Sequence, residues 1–544
     1  MDFLLATITA IAVSLTVIPV MVRLAPTLGM LDRPDSRKVH RRPIPRVGGW
    51  GIVCGTVVGL AIWIPLAPIS QVFVAGAAAL LLIGALDDSR DLPALLKLAL
   101  QAAVVLPAVL YADLAATWLP QAFGSNFRIP YAIAVAFGCL GLLTAINAAN
   151  TSDGLDGLAA GETLLSLVGI IYFAYTVDSS EVLAVAAVTA GGLFGFLRYN
   201  THPATIFMGD AGSQFLGFAV GLLGLALLQA GSSQLSVWTI LLLAGLPMID
   251  LAVVALRRLL RGVSCFRADR THLHHRLLDL GLSHTESVLV IYSLQACFVL
   301  AAVVTRGDSV LEQALTYLAG IAVVYGALHL AERVPQLRRL ILAARRIYRT
   351  RADQRFRLLV WAPRIVMEPL VGFVLVACAM SATAIPTNFG VLAAFLLPPL
   401  AAPILLKVKS RPFITRVPTY LVAAATLFLY TGQRPLPRAE LLPVELIVFG
   451  IIGICLVLAM RFSPQRRRRE FRATAMDYLI LLLAIACAFT PLPVLSGLDA
   501  WFFLYLPTTL YACELTLVER RERPDWLTFG ALAAAATMVS RVIF

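Results

Sequence analysis

Residues 146–175 read INAANTSDGLDGLAAGETLLSLVGIIYFAY. Asn150, Asp153 and Asp156 fall within seven residues, and from Leu158 the chain continues as an apolar run long enough to cross about 30 Å of hydrocarbon as a helix. Polar residues at such a boundary either cap a helix or handle something charged, and the surrounding sequence decides between the two.

Apolar runs of this length recur from end to end. Of 544 residues, 59% are hydrophobic and only 14% charged, and mean hydropathy is +0.85; soluble proteins are roughly half apolar and about a quarter charged. The expected fold class is an all-α polytopic membrane protein with about 11 helices in residues 1–331 and about 7 further transmembrane helices. The latter are expected to begin near residues 363, 384, 415, 441, 474, 498 and 526. The formal charge of +13 does not point to nucleic acid, because the basic residues sit in short loops between apolar runs. The positive-inside rule puts such loops in the cytoplasm and the N-terminus outside. The first apolar run has no basic segment before it and contains Pro19, so it reads as a span and not as a cleaved leader. The eight Cys are scattered singly without C-x-x-C spacing and are assigned to packing.

Residues 1–331 hold every informative polar motif. Residues 332–360 are basic and read as a cytoplasmic linker that lies on anionic lipid headgroups. No function is legible in residues 361–544.

Ionisable groups avoid the membrane, so those near it are functional candidates. In LDDSRDLPALLKLALQ, Asp91 and Pro93 suit a helix cap and first turn, which leaves Asp87 and Asp88 at the mouth of the preceding span. Lys97 and Gln101, four apart, share a helix face just inside the membrane. Asn150, Asp153 and Asp156 recur every third residue and offer the oxygen ligands that suit a hard cation such as Mg²⁺. In IFMGDAGSQFLGF, Asp210 stands between glycines before a span and reads as a metal ligand. In RRLLRGVSCFRADRTHLHHRLLDLG, His272, His274 and His275 stand among Arg258, Arg261, Arg267, Arg270 and Arg276. That is a poor zinc site and a good cationic pocket for a pyrophosphate. Lys38, His40 and Arg46, in DRPDSRKVHRRPIPRVGG, are either phosphate contacts or ordinary topogenic charge.

Together D-D-x-x-D-L-P-x-x-x-K-L-x-x-Q, N-x-x-N-x-x-D-G-x-D-G-L-A, F-x-G-D-x-G-S and D-R-x-H-L-H-H, in that order, resemble the polyprenyl-phosphate N-acetylhexosamine-1-phosphate transferases over residues 1–331. The resemblance implies that Asp210, with Asp156, binds Mg²⁺, with Mn²⁺ as a substitute. It implies that Asp87 or Asp88 positions or deprotonates the lipid phosphate, and that Asn150, Asp153 and Asp156 contact the nucleotide and metal region. His272, His274 and His275 with Arg258, Arg261 and Arg270 would hold the sugar-nucleotide diphosphate. Thr205 stands where relatives often carry a Lys.

The function this resemblance implies is transfer of N-acetylhexosamine-1-phosphate, GlcNAc-1-phosphate foremost, from a UDP-sugar to undecaprenyl phosphate with release of UMP. The expected place is the cytoplasmic face of the bacterial inner membrane, at the first membrane step of O-antigen, teichoic acid or related polysaccharide synthesis. Membrane lipids, a second copy of the chain and polysaccharide-assembly proteins are the further expected partners. The competing class is a transporter or flippase of lipid-linked sugars, which would place its polar groups near the bilayer midplane and not at one face.

Overall fold

Apolar runs lacking water as a hydrogen-bonding partner must satisfy their own backbone groups, and they do so as helices. The computed structural model describes residues 2–32, 43–117, 119–120, 129–231, 235–263, 271–334, 357–382, 385–405 and 412–432, isolated positions between 445 and 513, and 526–543. The chain divides into a unit built on Met1–Ile341 and a unit built largely on the residues after it.

The first unit contains α1 (Asp2–Leu24), α2 (Gly48–Trp63), α3 (Pro68–Arg90), α4 (Ala94–Tyr111), α5 (Tyr131–Ser152), α6 (Leu158–Thr176), α7 (Ser180–Asn200), α8 (Gly209–Ala230), α9 (Val237–Leu260), the short α10 (Leu273–Asp279), α11 (His284–Val304) and α12 (Val310–Arg333). Among the described residues ten of its helices are long and apolar enough to cross a membrane; α2 is shorter. An antiparallel ribbon joins α1 to α2, pairing β1 (Leu31–Asp32) with β2 (Ile44–Pro45). The all-α polytopic architecture expected from composition is therefore the one observed.

Packing without water relies on close approach and shared polar contacts. Gly51, Gly55 and Gly59 recur every fourth residue on α2, and a Cβ on any of them would collide with Ile18, Ala10 or Ala6 of α1. Helices α6 and α8 are buried along nearly their whole length, while Leu82 of α3, Leu140 of α5, and Leu315 and Val323 of α12 stay exposed, as a lipid-facing surface requires. Polar residues in the interior pair with one another. Gln101 of α4 donates to Gln214 of α8 at 3.1 Å and accepts from Asn147 of α5 at 3.0 Å.

Helix α9 is broken at Gly245 (φ +46), two residues before Pro247. A break in hydrocarbon leaves backbone groups to satisfy. Gln295 of α11 does so, accepting from Leu246 N–H at 2.9 Å and donating to Leu243 C=O at 3.0 Å.

The second unit contains helices Arg357–Ser381, Thr387–Leu405, Pro412–Gly432 and Trp526–Ile543, packed around Leu375, Leu400, Leu427 and Ala531. The first of these helices begins inside the segment read from sequence as a linker, and α12 runs on to Arg333. The span expected near residue 474 lies outside the described residues. Glu445 is buried in this unit and accepts from Tyr430 at 2.6 Å and Tyr505 at 2.8 Å.

Candidate active site

The acidic motifs meet where α3, α4, α5 and α8 end or begin. Helix α3 stops at Asp91, whose N–H closes the last turn onto Asp87 C=O at 2.8 Å and whose left-handed backbone (φ 49) turns the chain out of the helix. Pro93 precedes α4, so Asp91 closes α3 where the sequence reading made it the cap of α4. The tight turn sets the last turn of α3 against the first of α4. Lys97 Nζ lies 2.7 Å from Asp87 Oδ2 and 3.0 Å from Asp210 Oδ1. Asp87 also accepts from Leu92 N–H at 2.8 Å.

Asp88 anchors α8. Its two carboxylate oxygens accept from Asp210 N–H at 3.0 Å and Ala211 N–H at 3.2 Å, the unpaired donors at a helix N-terminus where negative charge is favoured. The approach demands a glycine at 209: its φ is +72, and a Cβ there would lie 2.4 Å from Asp88 Oδ2. The strap before Gly209 is held where the short β2–α2 loop joins its two elements, through Phe207 N–H to Pro45 C=O of β2 at 2.8 Å and Gly49 N–H of α2 to Met208 C=O at 2.9 Å. Arg46 lies in that loop, paired with Asp32.

Helix α5 delivers the second group. Asn150 Oδ1 accepts from Ser213 Oγ at 3.3 Å, tying the end of α5 to the start of α8. Asp153 follows the last residue of α5. Burial first, then the charges of Asp210, Asp88 and Asp156, push its carboxyl up to about 7, with Arg46 partly opposing them. Asp156 faces elsewhere. Its Oδ2 lies 2.6 Å from His202 Nδ1, 3.1 Å from Ala204 N–H and 3.9 Å from His284 Nε2. Burial alone would raise this carboxyl, yet the His202 hydrogen bond, His284 and the Ala204 N–H hold it below the usual carboxylate range.

The histidine motif is fixed from beneath. Asp250, one turn past the break in α9, accepts at Oδ1 from Leu273 N–H at 2.9 Å and from Tyr325 at 2.8 Å, and its Oδ2 lies 2.8 Å from His272 Nδ1. His274 presses on the α5–α6 loop, so that a Cβ on Gly154 would sit 2.2 Å from its Nε2. Burial, followed by the neighbouring His275, lowers His274 to about 3, which makes it a neutral imidazole near neutral pH. Arg276 forks onto Glu332 of α12 through two 2.7 Å bonds and serves as a structural brace. Arg258 is half-buried in the last turn of α9, and Arg261 at its end is exposed.

The structure thus brings Asp87, Asp88, Lys97, Asn150, Asp153 and Asp210 together, with His274 beside the Asp153 loop. Lys38, His40 and Arg270, read from sequence as substrate contacts, lie outside the described residues. Sequence reasoning missed Asp250, Tyr325, Glu332, His202 and His284. Asp250 carried a usable signal, as a lone acid in the apolar run LPMIDLAVV; a lone His near a span end carries little.

Chemically, the centre is an all-oxygen acidic set with Lys97 and Arg46 as the nearest described cations. Burial and then the neighbouring carboxylates raise the Asp153 carboxyl, and a divalent cation would offset the repulsion among those carboxylates. Carboxylate oxygens beside one another suit Mg²⁺, which retains waters and shares its coordination with substrate phosphates. Asp210 and Asp153, which feels its charge, would be the residues to hold it, whereas Asp156, expected from sequence as the second ligand, faces His202 and His284.

The sequence matches known proteins over the unit that carries these motifs. A family profile described as "Glycosyl transferase family 4" matches residues 70–228. The chain is 34% identical over 314 residues to the probable undecaprenyl-phosphate N-acetylglucosaminyl 1-phosphate transferase of Bacillus subtilis (strain 168), covering 56% of this chain and 85% of that protein. It is 30% identical over 275 residues to the undecaprenyl-phosphate alpha-N-acetylglucosaminyl 1-phosphate transferase of Escherichia coli (strain K12), 49% of this chain and 74% of that one. It is 33% identical over 301 residues to the decaprenyl-phosphate N-acetylglucosaminephosphotransferase of Mycobacterium tuberculosis (strain ATCC 25618 / H37Rv), again 49% and 74%. Identity at this level across most of a relative's length, with the acidic and histidine motifs gathered at one end of the bundle, places the chain in the polyprenyl-phosphate N-acetylhexosamine-1-phosphate transferase family.

Proposed function

We propose that this enzyme transfers N-acetylglucosamine-1-phosphate from UDP-N-acetylglucosamine to undecaprenyl phosphate and releases UMP. We place the reaction at the cytoplasmic face of a bacterial inner membrane, as an opening step of envelope polysaccharide synthesis. The observation that carries the reading is Lys97 bridging Asp87 and Asp210 beside the raised carboxyl of Asp153. The names of the relatives supply the sugar and the lipid.

An acceptor whose tail stays in the bilayer presents its phosphate at a helix mouth, where Asp87 and Lys97 stand. A phosphate monoester is largely dianionic at neutral pH, its second pKa being about 6. The acceptor therefore needs orientation more than deprotonation, and Lys97 supplies the positive charge that brings it in. Asp210 and Asp153 would hold Mg²⁺, which when bound neutralises charge on the diphosphate. Neutral His274 donates a hydrogen bond to the donor's diphosphate without adding charge, while Arg258 and Arg261 attract it from the end of α9.

An acceptor phosphate oxygen then attacks the β-phosphorus in one step. The new O–P bond joins lipid phosphate to sugar phosphate, the P–O bond between β-phosphorus and the bridging oxygen breaks, and UMP leaves with that oxygen. Catalysis rests on positioning and preset electrostatics. Incubating purified protein with Mg²⁺, a short polyprenyl phosphate and a panel of UDP-N-acetylhexosamines tests the reading by UMP formation. UMP that depends on both the lipid and UDP-N-acetylglucosamine is expected; no UMP with any donor overturns it.

A further inference from the structure

Three side chains next to the acidic centre, drawn from three separate segments, form a ligand set of a different chemical character. Asp156 lies in the α5–α6 loop, His202 in the α7–α8 loop, and His284 opens α11. One ligand atom from each lies within 4.8 Å of the other two. A single carboxylate oxygen, Asp156 Oδ2, faces both rings, 2.6 Å from His202 Nδ1 and 3.9 Å from His284 Nε2. The two imidazoles are stacked, with centroids 4.2 Å apart and planes 21° from parallel. His284 Nε2 is buried and has no hydrogen-bond partner among the described residues. A buried ring nitrogen left in this way is costly unless something binds it.

We propose that Asp156, His202 and His284 form a second metal site, selective for a divalent transition metal of the Zn²⁺ class, distinct from the Mg²⁺ held by Asp210. Two imidazoles and one carboxylate are a recurring three-ligand set for Zn²⁺ and Fe²⁺, whereas Mg²⁺ prefers oxygen alone. Metal–ligand bonds of about 2.0–2.1 Å in a tetrahedral site put the ligand atoms about 3.3 Å apart. The 2.6 Å and 3.9 Å separations bracket that value, so small ring rotations complete the site. The ion displaces the proton that His202 Nδ1 and Asp156 Oδ2 share, and that proton leaves to solvent. Three protein ligands leave one position open for water or for a phosphate oxygen of a ligand in the acidic centre. The bound ion also pins to α11 the loop that carries Asp153 and the loop that leads into Asp210 at the start of α8. The site stands independently of the donor and acceptor assigned above.

The test uses the full chain, purified and freed of metal with a chelator, then titrated with Co²⁺ and followed by its visible d–d bands, with Zn²⁺ as competitor. One ion per chain is expected, displaced by Zn²⁺ but not by excess Mg²⁺. Asp210→Asn should retain it, and His202→Gln and His284→Gln should each weaken it by at least about tenfold, since even outer-shell changes cost that much. Unchanged affinity in both histidine variants, or no binding by the parent chain, overturns the site. Should the variants fail to fold, X-ray absorption at the zinc edge of the unsubstituted chain still decides. A first shell with imidazole nitrogen is expected; a sulfur or all-oxygen shell contradicts the assignment.

Discussion

Lys97 Nζ stands 3.0 Å from Asp210 Oδ1 although the two are 113 positions apart in the chain, and its other contact is Asp87 Oδ2 at 2.7 Å. One ammonium thus sets the spacing of two carboxylates that would otherwise repel.

Replacing it should show as lost function before lost fold. Removing one partner of a buried ion pair costs about 3–5 kcal/mol, because the remaining charge is uncompensated. Lys97→Met is expected to reduce transfer by at least about 10²-fold, and a bound divalent cation should soften the loss of stability. Turnover and Tm, measured with and without Mg²⁺, check this.

Asp250 tests whether the histidine motif must be held in one orientation. Asp250→Asn keeps the shape and can still accept from Leu273 N–H and Tyr325, but it no longer offers a charged oxygen to His272. Loss of such an orienting carboxylate is expected to lower kcat by about 10–100-fold, with KM for the lipid little changed. Steady-state kinetics against each substrate in turn gives the split.

Asp153 gives the chain a pH dependence of defined sign. Its carboxyl is raised from 3.8 to about 7 by burial and neighbouring carboxylates. Across that window the folded state binds more protons than the unfolded state, so this contribution is fully present below the unfolded value and is lost as pH rises through about 7. In a chelator, Tm should therefore fall as pH rises towards 7, and Asp153→Asn should flatten the trend. Divalent metal competes with the same proton, so Mg²⁺ affinity should rise over that range. Calorimetry with and without Mg²⁺ reads both.

Gly209 tests the link between Asp88 and α8. Gly209→Ala meets both a positive φ and a 2.4 Å approach to Asp88 Oδ2. A strained backbone position of this kind costs about 1–3 kcal/mol. A lower Tm with reduced activity is expected, and an unchanged Tm would mean that Asp88 does not fix the strap.

The helices and the acidic centre were legible because the membrane makes both conspicuous. Runs such as Leu158–Thr176 can satisfy their backbone only as helices, and Asp87, Lys97, Asp153 and Asp210 stand out against an apolar background. What stayed hidden depends on tertiary proximity. Asp91 read as the start of α4 because capping residues serve either side of a short turn, and its left-handed backbone settles the side. Asp156 read as one of a row with Asp153, but the chain turns after Ser152 and sends the two carboxylates to different partners. His202 and His284, 82 positions apart, gave no periodic signal, and only the packing of the α7–α8 loop against α11 stacks them.

The most direct test of the central claim is Mg²⁺-dependent UMP formation by Asp210→Asn beside the parent chain, with Tm measured on both. Asparagine preserves the volume and removes the charge, so the account predicts loss of at least about 10²–10³-fold in turnover with the fold retained. Near-normal turnover in a folded variant would contradict the assignment of Asp210 and, with it, the convergence of the acidic residues as the seat of the reaction.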